Sequence, residues 1–527
     1  MKNINKIFIL SIIFFLAVGT VSATELDDAT DDVSDMTSVD APQVIETTNT
    51  VSDVDNTELN ELNTEEETQI CTGRTYSNPI TITPNNYQTD MSNIYNYDAV
   101  EFSGTFTSTL TGGSISITSP IVFTSISGAT FEDTQFVINS DDVTIKNLII
   151  ENDDGTDGAA ISATGYDNIE VINNSITVTK TTYGETVGVK FNSTNNQTIC
   201  GNNITMNIYP QYRWEIIYHP EEGETPEYYE YIYHLNNSAI VVDNSNEVNI
   251  QYNKIISSNA TTTEYFGTNE GINIRNSYDI DVNYNDVTIN GGDFAYAITF
   301  EEVTTSNALN NTLEVNSENY GTGIQMIEVT NSQVSYNDID VTSINTTEDP
   351  SSGEAFGYGI YMSTNWGPSQ TTGNTVTYNN IQVQSTIGYG IEGYIIDENV
   401  INYNNINMIG NVVMGIGLYN SSYNALYYNN ISVAGNYRTL GNFYEQIPPE
   451  TTGIKIVGND SSSYNFIENC IITVLDLTNP NLVYSIILEA DLNGVYDNYL
   501  TSVNGLFNIL IGDNSALDSG TGNEIAN

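Results

Sequence analysis

Val376-Thr-Tyr-Asn-Asn-Ile381-Gln-Val383 returns as Ile401-Asn-Tyr-Asn-Asn-Ile406-Asn-Met408, and again as Leu426-Tyr-Tyr-Asn-Asn-Ile431-Ser-Val433. Taking the central apolar residue as an anchor, the series runs outward in both directions: Ile150, Ile176, Ile204, Ile255, Val287, Leu313, Ile339, Ile381, Ile406, Ile431, Ile472 and Leu500. The base period is 25–28 residues, with longer intervals of up to 51. A repeat of this length is a structural unit that stacks on its neighbours. Each period holds a second apolar position, often Gly-Ile: Ile161, Val189, Ile240, Ile272, Ile298, Ile324, Ile360, Ile391, Ile416, Ile454 and Ile486. From this position to the next anchor the distance is 15 in eight of eleven cases. From anchor to the next Gly-Ile it varies from 10 to 36. Insertions therefore gather at one corner of the unit.

Short alternating segments, three to a period and without helical periodicity, predict a coil of parallel strands. Parallel crossovers are right-handed. The predicted fold is all-β, a right-handed parallel β-helix of twelve or more rungs.

Two residues before the anchors stand Asn174, Asn202, Asn253, Asn285, Asn311, Asn337, Asn379, Asn404, Asn429 and Asn498, interrupted only by Leu148 and Cys470. A position that accepts Asn, Leu or Cys is interior, and stacked amides bond rung to rung. The series is read as a structural ladder, with Asn supplying the left-handed conformation of a tight corner.

The chain has 67 Asp plus Glu against 11 Lys plus Arg, a formal net charge of −56. Phosphate backbones attract basic clusters, which are lacking, so nucleic acid is excluded as a partner. Lys2 and Lys6 precede an apolar run from Ile7 to Val18, and Val21-Ser22-Ala23 has the small residues of a cleavage site. Residues 1–23 read as a secretory signal. From Thr24 to Ile70 there are 15 acidic residues and no basic ones, a composition for a disordered spacer. Residues 71–140 read as irregular first rungs and a cap, and 141–527 as the repeats. The mature chain is expected to be secreted or at the cell surface, without inserting in the membrane. Three cysteines, Cys71, Cys200 and Cys470, leave one disulfide possible and its pairing open.

With the Asn-Asn-Ile/Gly-Ile repeat, the segment Val143-Thr-Ile-Lys-Asn-Leu-Ile-Ile150, the signal and the acidic spacer, the chain resembles the adhesin-like surface proteins of methanogenic archaea, built on the pectate-lyase-like β-helix. That resemblance implies a non-catalytic protein binding extracellular glycans or neighbouring cell surfaces. The same fold hosts polysaccharide lyases and glycoside hydrolases, so a divergent enzyme is one alternative and a structural envelope component another. Of the motif set of polygalacturonase-type hydrolases, only the Asp-Asp pattern occurs, at Asp141-Asp142 and Asp153-Asp154. The residues that follow the Gly-Ile positions include one carboxylate, Glu392. No catalytic residue, cofactor or metal is predicted; Ca²⁺ on surface carboxylates is compatible but no motif indicates it. His219 and His234 fall in the longest insertion, and Arg275 reads as a solvated surface residue.

Two groups are candidates for ligand binding. Tyr378, Tyr403 and Tyr428 belong to an outward Tyr series three residues before the anchors, able to bind sugar faces or to stack for stability. The insertion at 207–237 carries Tyr212, Arg213, Trp214, Tyr218, Tyr228 and Tyr231, and the next one carries Tyr265 and Phe266. Tyr-rich loops on a rigid scaffold are adaptable binders; a hydrophobic lid over the helix side is the alternative.

Overall fold

The structure is a computed structural model. It describes residues 71–526 apart from 154–157, 181–185, 209–214, 220–227, 233–235, 260–267, 293, 345–354, 365–369, 436–449, 459–463, 477–482, 490–492, 497, 504–506, 512–516 and 519–523. The signal and acidic spacer lie outside the described residues, as do Tyr212, Arg213, Trp214, His234, Tyr265 and Phe266.

The chain winds as a right-handed parallel β-helix with three strand series. One forms a 16-stranded sheet from Pro79–Ile82 to Leu517–Asp518. The other two carry the anchors and the Gly-Ile positions. Every anchor pairs in register with the next, from Ile150↔Ile176 and Ile176↔Ile204 to Ile431↔Ile472 and Ile472↔Leu500. The Gly-Ile positions do the same, from Ile161↔Val189 to Ile454↔Ile486. Each of these residues is essentially fully buried. Burying each such side chain is worth about 1.5–3 kcal/mol, and slipping one strand by a residue would turn its whole set outward.

The residue before each Gly-Ile apolar position is small because two rungs meet there. A methyl at Gly390 would collide with Ile406 and the carbonyl of Gly415. Where the distance from anchor to Gly-Ile is shortest, one strand turns the corner unbroken. Asn380–Tyr394 and Asn405–Tyr419 each run 15 residues and carry both apolar positions. At the other rungs most insertions leave from this corner. The longest contains an antiparallel pair, Glu215–His219 with Tyr228–Ile232, which places Tyr218 opposite Tyr229 and Tyr231 opposite Ile216.

The interior amides form a continuous hydrogen-bonded column. Asn379 shows the pattern. Its Oδ1 accepts from the backbone N–H of Asn337 at 3.0 Å and from Asn337 Nδ2 at 2.9 Å. Its own Nδ2 donates to Asn404 Oδ1 at 3.0 Å and to the Val334 carbonyl at 2.9 Å. The interruptions obey the same logic. Leu148 begins the column, with no Asn before it to satisfy, and only donates its N–H to Asn174 Oδ1. Cys470 receives Asn429 Nδ2 on sulfur at 4.0 Å and passes its N–H to Asn498.

The left-handed corner residue is not the ladder Asn but the one before it. Asn173, Tyr252, Tyr284, Tyr336, Tyr378, Tyr403 and Tyr428 all have φ between 53° and 58°. A second ladder, unnoticed in the sequence, runs five residues earlier: Ser306 and Ser332, then Asn374, Asn399, Asn424, Asn465 and Asn493, bonded in the same way.

At the N-terminal end, Phe102, Phe106, Phe123, Phe131 and Phe136 fill the core, and short helical turns at Tyr87–Asp90 and Met91–Asn96 lie between its strands. Cys71 and Cys200 are joined in a disulfide. It fastens the segment from Cys71 to Arg74 against the flank of the three-residue strands, where Arg74 bonds the Asn168 carbonyl and Lys146 bonds the carbonyls of Thr72 and Arg74. Cys470 is a free, buried thiol.

Replacing Asn379 by Ala should destabilise the fold by about 3–5 kcal/mol, because it strands several buried partners at once. Leu148→Asn should cost far less, since the first position has no donor waiting for it. Chemical denaturation of the two variants measures both.

Candidate functional site on the outer Gly-Ile face

Alternation places the residues one and three after each Gly-Ile apolar position on the outside of the sheet; the residue two before lies on that side as well, because alternation breaks at the small residue between, which the registers skip. The registers then stack these residues in columns. The column one residue after runs Val241, Asn273, Thr299, Gln325, Tyr361, Glu392, Gly417 and Lys455. The column two residues before runs Ser238, Glu270, Tyr296, Thr322, Tyr358, Tyr389, Met414 and Thr452.

The polar end of this face is unusually enclosed. Glu270 is 5% exposed and accepts hydrogen bonds from Ser238 Oγ, at 2.7 Å, and from Asn273 Nδ2. Arg275 does not simply face solvent. It is partly exposed, as a surface residue, and lies between Glu270 Oε1 at 3.9 Å and Glu301 Oε2 at 3.3 Å, ion pairs that the sequence reading did not anticipate. Asn273 is 1% exposed and Thr299 3%, yet Asn273 Oδ1 and Thr299 Oγ1 have no hydrogen-bond partner among the described residues. Buried polar atoms are nearly always paired, so two such atoms side by side on an outer face stand out.

The other end is aromatic. Phe294, Tyr320 and Phe356 stack rung on rung at 5.2 and 4.7 Å. Tyr358 stacks on Tyr389 at 5.4 Å and meets Tyr361 at 64°, while Tyr389 and Tyr419 meet at 74°. Burial holds the phenols of Tyr296, Tyr358 and Tyr419 well above their ordinary range and pushes Tyr389 up to about 12. Glu392 lies among these rings, and loss of solvent alone pushes its carboxyl up to about 7. Lys455, farther along the column, is paired with Glu450 at 2.7 Å.

The corner tyrosines are arranged differently. Tyr336, Tyr378, Tyr403 and Tyr428 stack at 4.9–5.0 Å with interplanar angles of 3–8°. They remain 42–55% exposed. The exposed parts are edges and hydroxyls, because each inner ring face is covered by the next ring. A sugar face stacks on an open ring face, so along this strip such faces remain only at the two ends. Stacking also offsets the strain of a bulky residue at positive φ. Of the insertion residues, Tyr218, Tyr228 and Tyr231 belong to the antiparallel pair, and nothing in the described residues brings them to the sheet face. Of the rings around Glu392, Tyr361 precedes it in its own column, while Tyr358, Tyr389 and Tyr419 were hidden in the sequence because they belong to other columns. Glu270 and Asn273 share a strand, and their signal was a charged residue beside Gly-Ile.

Among the described residues, no group of three or more His, Cys, Asp or Glu side chains could hold a metal ion. No described helix is long and apolar enough to cross a membrane.

Residues 158–328 match a family described as a pectate lyase-like adhesive domain. No curated protein matches the chain. Among solved structures, the tailspike protein of E. coli bacteriophage HK620, in complex with a pentasaccharide, is 10% identical with a TM-score of 0.43, covering 85% of this chain and 78% of its own. The A-module of the Azotobacter vinelandii mannuronan C-5 epimerase AlgE4 is 10% identical with a TM-score of 0.35, covering 83% and 93%. The periplasmic alginate epimerase AlgG is 11% identical with a TM-score of 0.35, covering 79% and 78%. The fold described above rests on the strand registers, and the activities of these proteins are not transferred by such distant likeness.

Two outcomes follow from this geometry. Tyr403→Ala removes two ring stacks and should destabilise by about 1–2 kcal/mol. Tyr403→Gly should lose less, because glycine tolerates the left-handed corner; thermal melts rank the two. For Glu392, the folded-state carboxyl titrates above its unfolded value. The folded state therefore binds more protons between the ordinary carboxylate range and about pH 7, and stability falls as pH rises through that window. Glu392→Gln should stabilise the protein more at pH 8 than at pH 5, as read by melting temperature.

Proposed function

We propose that the chain is a secreted or surface-displayed adhesin-like protein that binds glycans along the outer face of its Gly-Ile sheet. The observation that carries this reading is the pairing of an aromatic strip with a parallel column of hydrogen-bonding side chains. From Asn273 to Glu392 the column crosses five rungs, roughly 19 Å at the usual strand spacing. A sugar chain offers apolar C–H groups and hydroxyls; along this strip it meets the edges of stacked rings and the hydrogen-bonding groups of the polar column. The hydroxyls of such a ligand can donate to Asn273 Oδ1 and exchange hydrogen bonds with Thr299 Oγ1, two of the buried atoms without a hydrogen-bond partner among the described residues. The family match at 158–328, described as adhesive, is compatible with this role. The Tyr-rich insertions, including the one that holds the antiparallel pair at Glu215–His219 and Tyr228–Ile232, leave from the corner next to the same sheet.

A divergent polysaccharide hydrolase or lyase is the second reading. The near-neutral Glu392 carboxyl beside Tyr389 and Tyr419 favours it, because a general acid works best with such a pKa. Release of reducing or unsaturated ends from a bound polysaccharide, abolished in Glu392→Gln, would establish it.

The test of binding is a glycan array with the full chain. At least one glycan should bind, and Asn273→Ala combined with Thr299→Val should weaken it about tenfold or more. Replacing residues 207–237 by a short turn separates the contribution of the insertion. Binding to no glycan, or binding untouched by the sheet-face variant, contradicts the proposal.

A further inference from the structure

Glu392 stands apart from the other carboxylates of the sheet face. Glu270 is held by Ser238, Asn273 and Arg275; Glu301 is held by Arg275, and Glu450 by Lys455. Among the described residues, Glu392 has no ion pair or hydrogen bond.

Its surroundings are phenol rings. In its own column Tyr361 precedes it, and Gly417 follows it without a side chain. A methyl at Gly417 would meet the rings of Tyr419 and Tyr389 at 3.1 and 3.3 Å, so both rings lean over this position next to the carboxylate. Tyr358 stacks on Tyr389 and stands steeply tilted to Tyr361. Rings at mixed angles enclose the carboxylate from several sides.

This arrangement makes electrostatic sense with a cation present. The face of an aromatic ring is negative and attracts cations. It gives nothing to a carboxylate, and burial among rings disfavours the charged form further. Tyr358 and Tyr389 stack face to face, so a cation beside the carboxylate would gain chiefly from Tyr361 and Tyr419, whose rings stand out of that stack, and would also restore Glu392 to its ionised state. The described protein cations near this region do not serve: Lys455 is taken by Glu450.

We propose that Glu392, with Tyr358, Tyr361, Tyr389 and Tyr419, forms a receptor for an organic ammonium group. Two sources share that chemistry, the protonated amine of an amino sugar within a glycan and an alkylammonium group such as choline. The first source deepens the glycan reading and rests on it; the second does not depend on it. The groups facing the carboxylate are the four tyrosines, Tyr394 on its own strand, and the Glu450–Lys455 pair. Burial keeps Tyr358, Tyr361, Tyr389 and Tyr419 neutral, so Glu392 is the group that titrates near neutrality.

Calorimetric titration of the full chain tests the proposal. The probes are a glucosamine oligomer and an N-acetylglucosamine oligomer of equal length at pH 7, and choline and its neutral isostere 3,3-dimethylbutanol at pH 5.5 and 8. The amine oligomer should bind at least tenfold tighter than its acetylated counterpart, or choline at least tenfold tighter than its isostere. Choline affinity should rise about tenfold from pH 5.5 to 8 as the carboxyl ionises, and Glu392→Gln should remove both the preference and the pH dependence. Equal binding of charged and neutral probes overturns the ammonium receptor; if the array still shows a bound glycan, the glycan reading survives. Choline discrimination with no glycan bound supports the receptor and defeats the glycan reading. The charged–neutral probe comparison needs no variant, so misfolding of Glu392→Gln would not blunt the test.

Discussion

The buried asparagine amide is the interaction on which the remaining structure depends. A β-helix interior must be apolar to drive collapse, yet it must also fix which strand lies on which. Aliphatic side chains do the first and are poor at the second, since Ile, Val and Leu interchange freely along the anchor series. The amide of Asn379 reaches Asn337 on one side and Asn404 on the other, and closes the corner onto the Val334 carbonyl. A rung out of register would leave buried donors and acceptors without partners, at about 1–3 kcal/mol each. The second ladder repeats this control on the other side of the three-residue strands in the C-terminal half.

With register fixed from inside, the outer surface is free to vary. The Gly-Ile face shows what that freedom permits. Its inward positions hardly change, while its outward columns pass from Glu270 and Asn273 through Thr299 and Gln325 to Tyr361 and Glu392. Neighbouring rungs bring these side chains within reach of one another although 26 to 36 residues of sequence separate them. The insertions use the same freedom. Most of them leave from a single corner, where lengthening the connection disturbs neither ladder, while the stretches after Ile360 and Ile454 are lengthened on the other side of the Gly-Ile strand.

Much of the fold was legible because it is periodic. The Ile anchors, the Gly-Ile positions and the first Asn column each occupy a fixed place in the repeat, so their pairing could be read from spacing alone. The second column has the same spacing, but it begins with Ser306 and Ser332 and becomes Asn only at Asn374, which weakened its signal. The corner conformation was assigned to Asn when it belongs to the residue before, because Tyr is an improbable left-handed residue on intrinsic grounds. At the candidate site, Glu392 was visible as a single carboxylate in one column. Its meaning comes from Tyr358, Tyr389 and Tyr419, which stand in other columns, and cross-column contacts depend on side-chain rotamers that spacing does not encode. The Tyr378–Tyr403–Tyr428 strip was legible as a strip; that its rings cover each other's faces was not. The net charge of −56 argued against a nucleic-acid partner but could not show that carboxylates on the sheet face are individually held by Ser238, Arg275 and Lys455, leaving Glu392 among rings.

The central claim is that the outer face of the Gly-Ile sheet is the recognition surface. A crystal structure of the full chain with a glycan selected by array binding tests it most directly. The account predicts the sugar chain lying across the rungs between Asn273 and Glu392, with hydroxyls on Asn273 Oδ1 and Thr299 Oγ1 and a sugar ring against the tyrosines. A glycan seated instead on the Tyr378–Tyr403–Tyr428 corner, or on the flank held by the Cys71–Cys200 disulfide, would contradict it.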